Sequence, residues 1–532
     1  MNKALTLLLL GLTFNAFGQG TQTHGVASTN LDVSNINPKI LTGGDAFTDL
    51  MNPGFEVPRG SGKHTIYAGA LWIGGKDQQN NLYVAAQTYR QGSPPDAGYW
   101  PGPIGNVQNA SHTNKYDKLW KVRKTEIQNH IANYNKPGYT MPSAIATWPG
   151  NGNTANGEAA KLAPFVDLNN DGIYSPAQGD YPKTNGDQAI YLILNDKGNE
   201  KKPVSAPMNA EIHVMHYGFD NSNNSAVFHT LFTEYRIINR GQINLQDFYA
   251  GVWMDFDLGY YNDDYVGCDT IQNRFFVYNG DNDDEGPSGY GLNPPQQSVI
   301  FLDKKMSHFI YYNNDSNPTN GNPTRASDFY NYMRGVWRDG NLVTQWGDGT
   351  NQANPPAAYM FPGGLNGGWS EVNTQPNVQS SNTPSDRRGV GSIGPFNLKS
   401  GQELKFTVAY NYSRGNATTS SFVTAAQDAQ TVQNFFNNTV LLGKSEKITG
   451  NQTLKLFPNP ATDMLHIQLP NTFENKEASI SITDYTGRVV LQTKTSKTSS
   501  NQQLNIAALS KGIYQVTITS PKQTISSKLV KL

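Results

Sequence analysis

Residues 453–532 alternate apolar and polar side chains in three runs that are separated by turn-forming residues. The runs read LKLFPNPATDMLHIQL, ISITDYTGRVVLQ and LNIAALSKGIYQVTITS. Alternation with a period of two is typical of strands that bury one face, so these runs predict a small β-sandwich. Pro458 and Pro460 lack the amide donor that a central strand needs. They therefore predict a corner before the strand Met464–Leu469.

Four motifs in this segment occur in order at the C-terminus. They are PNP at residues 458–460, D-x-x-G-R-x-V at 484–490, L-x-x-G-I-Y-x-V at 509–516, and a basic final strand that ends at Leu532. Together they make residues 453–532 similar to the type A C-terminal sorting domain of the Bacteroidetes type IX secretion system. The resemblance implies an Ig-like β-sandwich that engages the type IX secretion machinery. It also implies a protein that is secreted or held at the cell surface.

The N-terminal residues predict a cleaved signal peptide over residues 1–18. Lys3 places a positive charge before an apolar run from Ala4 to Phe14, and Ala16-Phe17-Gly18 offers a small-x-small cleavage pattern. The run is too short to span a bilayer, and no later segment reaches 18 consecutive apolar residues. We therefore expect passage through the periplasm, export across the outer membrane, and no transmembrane segment.

Composition indicates a β-rich body without disulfide bonds. The chain has 51 glycines, 30 prolines and only 16% charged residues, which suits many strands joined by turn-rich loops. Cys268 is the only cysteine, so stability outside the cell has to come from packing or from bound ions. The chain lacks a basic stripe with interleaved aromatic residues, so we expect no nucleic-acid binding.

The predicted fold is mainly β, with a multi-domain β-sandwich body, few short helices and a C-terminal Ig-like β-sandwich sorting domain. Helical patterns occur only from Thr125 to Pro137 and over Ser421–Phe436. The predicted divisions are a signal peptide (1–18), an N-terminal β-rich region (19–160), a β-sandwich body with calcium-type loops (161–440), a linker (441–452) and the sorting domain (453–532).

The sequence DLNNDGIYSPAQGD at residues 167–180 carries a metal-binding pattern. Short oxygen-bearing side chains at alternate positions, followed by Gly172, form the first half of a calcium loop, because a tight turn points their oxygens at one hard cation. Position twelve is Gln178 instead of the glutamate of an EF-hand, so the closing carboxylate is expected two residues later. The predicted ligands are Asp167, Asn169, Asp171 and Asp180. The alternative is an ordinary Asn/Asp/Gly turn that needs no ion.

An acidic segment extends from Asp255 to Glu285 and contains a single basic residue, Arg274. Asp255 and Asp257 are two residues apart on a predicted strand, so they face the same side and raise each other's pKa unless a cation lies between them. Three interpretations are open: a second calcium site, a solvated acidic loop, and a glycosidase-type pair of carboxylates. The candidate calcium ligands are Asp255, Asp257, Asp263, Asp264 and Asp269.

Other catalytic patterns are missing from the sequence, which contains neither H-E-x-x-H nor G-x-S-x-G. His213 and His216 fall on opposite faces of a predicted strand and therefore cannot share a metal ion. Body segments such as ALWIGG (70–75) and WMDFDLGYYNDDYVGCD (253–269) resemble stretches of uncharacterised secreted Bacteroidetes proteins, which implies no particular activity.

These observations predict a secreted or cell-surface β protein that is stabilised by calcium and serves in binding or adhesion. Its expected ligand is a polysaccharide or an extracellular protein. The alternative is a secreted glycan-active hydrolase that uses the carboxylates near Asp255 and Asp257, so whether the protein is an enzyme stays open at this point.

Overall fold

The computed structural model describes residues 24–90, 97–198, 201, 203–363, 368–376, 380–441, 454–469, 477–484, 489–495, 501–520 and 523–532. The chain divides into two compact units, with the boundary between Asn434 and Phe435. The predicted signal peptide (1–18) and most of the predicted linker (441–452) lie outside the described residues.

The first unit consists mainly of antiparallel strands. In chain order they are β1 (Ser28–Asn30), β2 (Asn37–Leu41), β3 (Asp45–Ala46), β4 (Phe55–Glu56), β5 (Ile66–Lys76), β6 (Leu82–Ala85), β7 (Trp100–Pro101), β8 (Trp120–Arg123), β9 (Phe165–Val166), β10 (Tyr181–Pro182), β11 (Gln188–Asn195), β12 (Ala210–Gly218), β13 (Thr230–Asn239), β14 (Leu245–Phe256), β15 (Asp264–Asp269), β16 (Arg274–Asn279), β17 (Asp283–Asp284), β18 (Gly291–Leu292), β19 (Gln296–Phe301), β20 (His308–Asn313), β21 (Arg387–Leu398) and β22 (Glu403–Ser413).

Helices occur between these strands and, in one case, after the last of them. They are α1 (Ala110–Tyr116), α2 (Lys124–Asn133), α3 (Ser143–Ala146), α4 (Ser225–Phe228), α5 (Ala326–Met333) and α6 (Ser421–Phe435), and a π-helical turn (Phe436–Leu441) follows α6. The two predicted helices correspond to α2 and α6. Ile127 and His130 form the buried side of α2, and Ile131 is 42% exposed.

The strands form two nine-stranded sheets. The first has the order β1-β2-β3-β5-β14-β21-β20, with β4 beside β2 and β6 beside β5. The second has the order β15-β16-β19-β22-β13-β12-β11-β7, with β8 beside β11. Strands from both sides of the predicted division at residues 160/161 pair in both sheets, so residues on its two sides belong to one compact unit.

The two sheets pack face to face around one core, which makes the first unit a β-sandwich. Side chains from both sheets share a single buried cluster, in which Phe47 contacts Tyr410 edge to face at 5.1 Å and Phe275 stacks on Phe309 at 5.2 Å. Burial of aromatic residues is a large stabilising contribution in the absence of disulfide bonds. The prediction of a mainly β fold is confirmed.

The second unit is a smaller β structure. Its strands are β23 (Lys455–Phe457), β24 (Met464–Gln468), β25 (Ala478–Thr483), β26 (Val489–Thr495), β27 (Asn501–Asn505), β28 (Gly512–Ser520) and β29 (Gln523–Lys531). They form a three-stranded sheet, β23-β24-β27, and a four-stranded sheet, β26-β25-β28-β29, which share a core that includes Leu465, Ile480 and Val516. The two prolines occupy the corner between β23 and β24, as predicted. Residues 485–488 of the D-x-x-G-R motif lie outside the described residues.

Candidate functional site

The C-terminal end of β14 lies at a solvent-accessible pocket of about 390 Å³. Asp255 pairs with Arg388 on β21 and with Ala68 on β5, so the regular ladder fixes its position. Trp253, two residues earlier, stacks on Trp72 at 5.8 Å and places an aromatic core next to the pocket. The pocket is lined by Tyr67, Tyr89, Asp255, Asp257, Tyr261, Asn314, Asp386 and Arg388.

Three carboxylates meet in this pocket, which we call the β14 pocket. One oxygen each of Asp255, Asp257 and Asp386 lies within 4.8 Å of the others. Asp255 is 2% exposed, while Asp257 and Asp386 are half-buried. Arg388 pairs with Asp386 and places Nη2 3.0 Å from Oδ1 of Asp255. Three carboxylates and one guanidinium leave this group with a formal charge of −2 when all are ionised.

Tyr89 connects the carboxylates to the arginine. Its hydroxyl donates to Oδ2 of Asp255 and accepts from Nε and Nη2 of Arg388 at 3.2 and 3.0 Å. Its ring contacts Trp253 edge to face at 5.4 Å. Burial raises the pKa of Tyr89 well above its usual value, so the hydroxyl keeps its proton at neutral pH.

Burial also controls the ionisation of two of the carboxylates. It raises the pKa of Asp255 to about 7, against the opposing charge of Arg388. Burial, followed by the charges of Asp255 and Asp386, raises the pKa of Asp257 to about 8. Near neutral pH these groups hold protons unless a cation compensates their charge. The arrangement can therefore coordinate a hard divalent cation or exchange a proton with a bound molecule.

Asp263 and Asp264 lie in the turn after the pocket and outside the three-carboxylate group. Oδ2 of Asp264 accepts from the backbone N–H of Leu258 at 3.1 Å, and Oδ2 of Asp263 accepts from Nδ2 of Asn279 at 2.7 Å. Burial raises the pKa of Asp263 to about 7 and the pKa of Asp264 well above its usual value. These contacts hold the acidic turn that leads from β14 to β15.

The structure does not bring Asp269 to the pocket. It lies at the opposite end of β15 from Asp264, about 17 Å away at the usual rise per residue of a strand. Its Oδ1 accepts from the backbone N–H groups of Ile271 and Gln272, which closes the turn into β16. The geometry of Asp269 is that of an Asx turn.

The loop at residues 167–180 uses its predicted ligands to hold its own backbone. Asp167 accepts from the N–H of Gly172 at 2.8 Å, and Asp171 accepts from the N–H of Ile173 at 2.7 Å. Asn169 donates through Nδ2 to Oε1 of Gln178 and to Oδ2 of Asp171.

Asp180 holds two parts of this loop together through hydrogen bonds to backbone N–H groups. It is fully buried, and its two oxygens accept from the N–H groups of Leu168 and Ser175 at 2.9 and 2.8 Å. In the part of the chain that the structure describes, the three acidic side chains of the loop do not approach one another as closely as those of the β14 pocket. A calcium ion at the loop stays a prediction.

Sequence reasoning missed Asp386, Arg388, Tyr67 and Tyr89. Arg388 is 133 residues from Asp255 and reaches it only through the pairing of β14 with β21. The available signal was Asp386-Arg387-Arg388, a triplet of charged residues in the sequence. Of the candidates near the acidic segment, the structure brings Asp255 and Asp257 together.

Residues 455–532 match the family model described as a secretion system C-terminal sorting domain. The chain is therefore a type IX secretion cargo protein that is exported to the cell surface or secreted. Within the described ranges, no helix is both long and apolar enough to cross a membrane. No curated protein matches the chain.

Three solved structures show weak similarity to this chain. A polysaccharide lyase is 9% identical, with 70% of this chain and 37% of that chain covered and a TM-score of 0.19. Dimeric latent PorU from Porphyromonas gingivalis is 11% identical, with 65% and 31% covered and a TM-score of 0.14. The BSP domain of a biofilm associated protein is 9% identical, with 100% and 84% covered and a TM-score of 0.15. The chain spans about a third of the length of the first two proteins, and these TM-scores carry no argument about its fold.

Proposed function

We propose that this exported cargo protein is a calcium-dependent binding protein, that the β14 pocket holds the ion, and that its ligand is a polysaccharide. The observation that carries the proposal is the approach of Asp255, Asp257 and Asp386 to within 4.8 Å in a pocket open to solvent. Calcium binds carboxylate oxygens in flexible arrangements and accepts additional oxygen ligands from bound molecules.

The charge of the pocket favours a divalent cation. With Arg388 included, the ionised group carries a formal charge of −2, which one calcium ion neutralises. Without an ion, burial raises the pKa of Asp255 to about 7 and that of Asp257 to about 8, so protons replace the missing positive charge. A fully solvated acidic loop would not have a carboxylate that is only 2% exposed.

The rim of the pocket suits a sugar. Tyr261 is 45% exposed and Tyr67 is half-buried, and both line the pocket beside the carboxylates. Tyrosine offers an apolar ring face together with a hydroxyl, a combination that packs against and hydrogen-bonds to pyranose rings. Hydroxyl groups of such a ligand would complete the oxygen shell of the ion.

Calcium titration tests this proposal. We expect calcium to bind the mature protein in isothermal titration calorimetry and to raise its melting temperature, with both effects lost in Asp257→Asn and Asp386→Asn. The matched control is Asp220→Asn, which neutralises an exposed aspartate outside the pocket. Equal calcium binding by Asp257→Asn and by the control would contradict the assignment of the ion to the β14 pocket.

A glycan hydrolase is the second candidate. It is favoured by the approach of Asp255 and Asp257 oxygens to within 4.8 Å, which is compatible with the roughly 5 Å spacing of retaining glycosidases, and by carboxyl pKa values close to neutral pH. In this alternative Asp257 is the general acid, and Asp255, ion-paired with Arg388, is the nucleophile. A reducing-end assay across plant and microbial polysaccharides distinguishes the candidates. Turnover that disappears in Asp255→Asn and Asp257→Asn, but persists with a calcium chelator, would replace the binding proposal.

A further inference from the structure

A second solvent-accessible pocket lies on the outer face of the second sheet, away from the β14 pocket. Its volume is about 390 Å³, within the range of small-molecule sites, which begins at about 300 Å³. Strands β11, β12, β13 and β22 form its floor, and the segment 161–167 together with Lys183 forms its wall. We call it the outer-face pocket.

Strand register builds the floor of this pocket. Tyr191, Met215 and Glu234 are direct partners in one row across the sheet, and His213, Arg236 and Lys405 are direct partners in another row. The intervening residues, such as Val214 and Tyr235, belong to the main core. Because successive residues of a strand point to opposite faces, the two rows face outward.

The outer-face pocket is positively charged. Lys161 and Lys183 stand on its wall, Arg236 and Lys405 stand on its floor, and two acidic residues, Asp167 and Glu234, bring its formal charge to +2. This positive charge is opposite in sign to the net charge of the residues before 453. The whole chain has a formal charge of −1 and residues 453–532 one of +5, which leaves −6 for the residues before them.

The floor cations already have acidic partners. Nζ of Lys405 lies 2.8 Å from Oε1 of Glu234, and Nε of Arg236 lies 2.6 Å from Oε2 of Glu403, which is outside the pocket. The lysines on the wall, in contrast, have no such partners among the described residues. Among the described residues, no carboxylate oxygen lies within 4.0 Å of Nζ of Lys161 or Lys183, and both side chains are exposed. Positive charge is therefore available on the wall.

His213 contributes a fixed polar surface to the floor. Its Nδ1 lies 2.5 Å from the hydroxyl of Tyr191, and its Nε2 lies 2.9 Å from Oε1 of Glu211. Burial lowers the pKa of His213, so the ring adds no charge near neutral pH. Both ring nitrogens are used, and the histidine is a rigid part of the floor.

Apolar surface lies beside the cations. The half-buried Phe165 ring is 5.6 Å from Nζ of Lys161, and Met215 lines the floor of the same pocket. A ligand placed between wall and floor would meet ammonium groups at its charged end and a ring and a thioether along its body. We propose that the outer-face pocket binds a sugar-sized organic anion, such as a uronic-acid or sulfated unit of a polysaccharide.

This inference does not depend on calcium or on the β14 pocket. The test uses isothermal titration calorimetry of the mature protein in a calcium chelator, with a uronic-acid disaccharide, a sulfated disaccharide, a neutral disaccharide and inorganic phosphate as probes. We expect at least one acidic disaccharide to bind, more weakly at high salt, and the neutral disaccharide not to bind. Binding of phosphate alone, binding of the neutral sugar with equal affinity, or no binding at all would overturn the proposal.

The double variant Lys161→Gln/Lys183→Gln locates the site. Each lysine forms an exposed charge contact worth up to about fivefold in affinity, so we expect the double variant to bind the acidic sugar several-fold and at most about 25-fold more weakly. The matched control is Lys304→Gln/Lys305→Gln, which removes two exposed lysines outside the pocket. Neither pair has a structural ion-pair partner among the described residues, so we expect unchanged melting temperatures. Equal losses in the two double variants would overturn the location.

Discussion

Nη2 of Arg388 lies 3.0 Å from Oδ1 of Asp255, because the two residues are direct partners across the β14–β21 ladder. The sheet therefore carries one positive charge into a group of three carboxylates. A buried ion pair is costly to break, since removal of one partner leaves an uncompensated charge. The ion pair therefore stabilises the fold, and the pocket keeps a net negative charge that a cation can neutralise.

Replacement of Arg388 distinguishes the contribution of the ion pair to stability from the binding of a cation in the pocket. We expect Arg388→Gln to lower the free energy of unfolding in a calcium chelator by about 3 kcal/mol, because Asp255 and Asp386 lose their cation. Calcium should recover part of this loss and bind more tightly than in the wild type, since the group then carries a charge of −3. Urea unfolding with and without calcium measures both effects. A loss that calcium does not reduce would argue against an ion in the pocket.

Tyr89 should contribute through its hydroxyl alone. We expect Tyr89→Phe to lower the free energy of unfolding by about 1–3 kcal/mol, because Asp255 loses a donor and Arg388 loses an acceptor inside the protein. The matched control is Tyr261→Phe, in which the ring is exposed and the change should stay within about 0.5 kcal/mol. Chemical denaturation measures both variants, and equal effects would contradict a specific role for Tyr89.

Stability should depend on pH in a direction set by the raised carboxyl pKa values. Between the usual aspartate pKa of 3.8 and the values of about 7 and about 8 for Asp255 and Asp257, the calcium-free folded protein holds more protons than the unfolded chain. These two groups therefore lower the free energy of unfolding as pH rises towards about 8. Asp263 and Asp264, with raised pKa values, act in the same direction. Histidines whose pKa burial lowers, such as His216 and His308, act in the opposite direction below the usual histidine pKa of 6.5, so we expect the net fall above about pH 6.5.

The comparison that isolates the pocket is Asp257→Asn against Asp220→Asn. We expect the first variant to flatten the fall in melting temperature between pH 6.5 and pH 8 and the second to leave it unchanged. Saturating calcium should flatten the wild-type curve as well, because the ion replaces the protons. A wild-type curve that rises over this range would show that the two carboxyl groups are not the dominant titrating groups.

The sorting domain should be necessary and transferable. We expect deletion of residues 453–532 to leave the protein in the periplasm, and fusion of this segment to a periplasmic reporter to carry the reporter out of the cell. The chain divides into compact units at Asn434/Phe435, so the deletion should not unfold the first unit. Fractionation and melting of the truncated protein measure the two results, and export without the segment would contradict the role of the sorting domain.

Local patterns predicted those elements in which one sheet face is buried. The strand predicted at Met464–Leu469 is observed as β24 (Met464–Gln468), and its buried side chains alternate with more exposed ones. Alternation of apolar and polar residues indicates which face of a strand is buried, but it does not indicate which strand is its neighbour in the sheet.

The site could be predicted only in part for the same reason. Asp255 and Asp257 are two residues apart at the C-terminal end of β14, so their approach is local in the sequence. Asp386 and Arg388 reach them through a pairing between strands more than a hundred residues apart, which no local pattern encodes. Closeness in sequence predicts Asp269 as a ligand, yet it lies at the C-terminal end of β15, away from the pocket.

Asp180 offers a test of whether the 167–180 loop is held by its own hydrogen bonds. It is fully buried and accepts from two backbone N–H groups, Leu168 and Ser175, which would have no acceptor in Asp180→Ala. We expect this variant to lower the free energy of unfolding by about 2–3 kcal/mol, in a calcium chelator as well as in calcium. The matched control is Asp171→Ala, whose side chain is exposed, and its loss in chelator should stay near 0.5 kcal/mol, about the size of a surface change. A loss in Asp180→Ala that appears only with calcium would instead show that the ion, and not the backbone amides, gives this carboxylate its stabilising role.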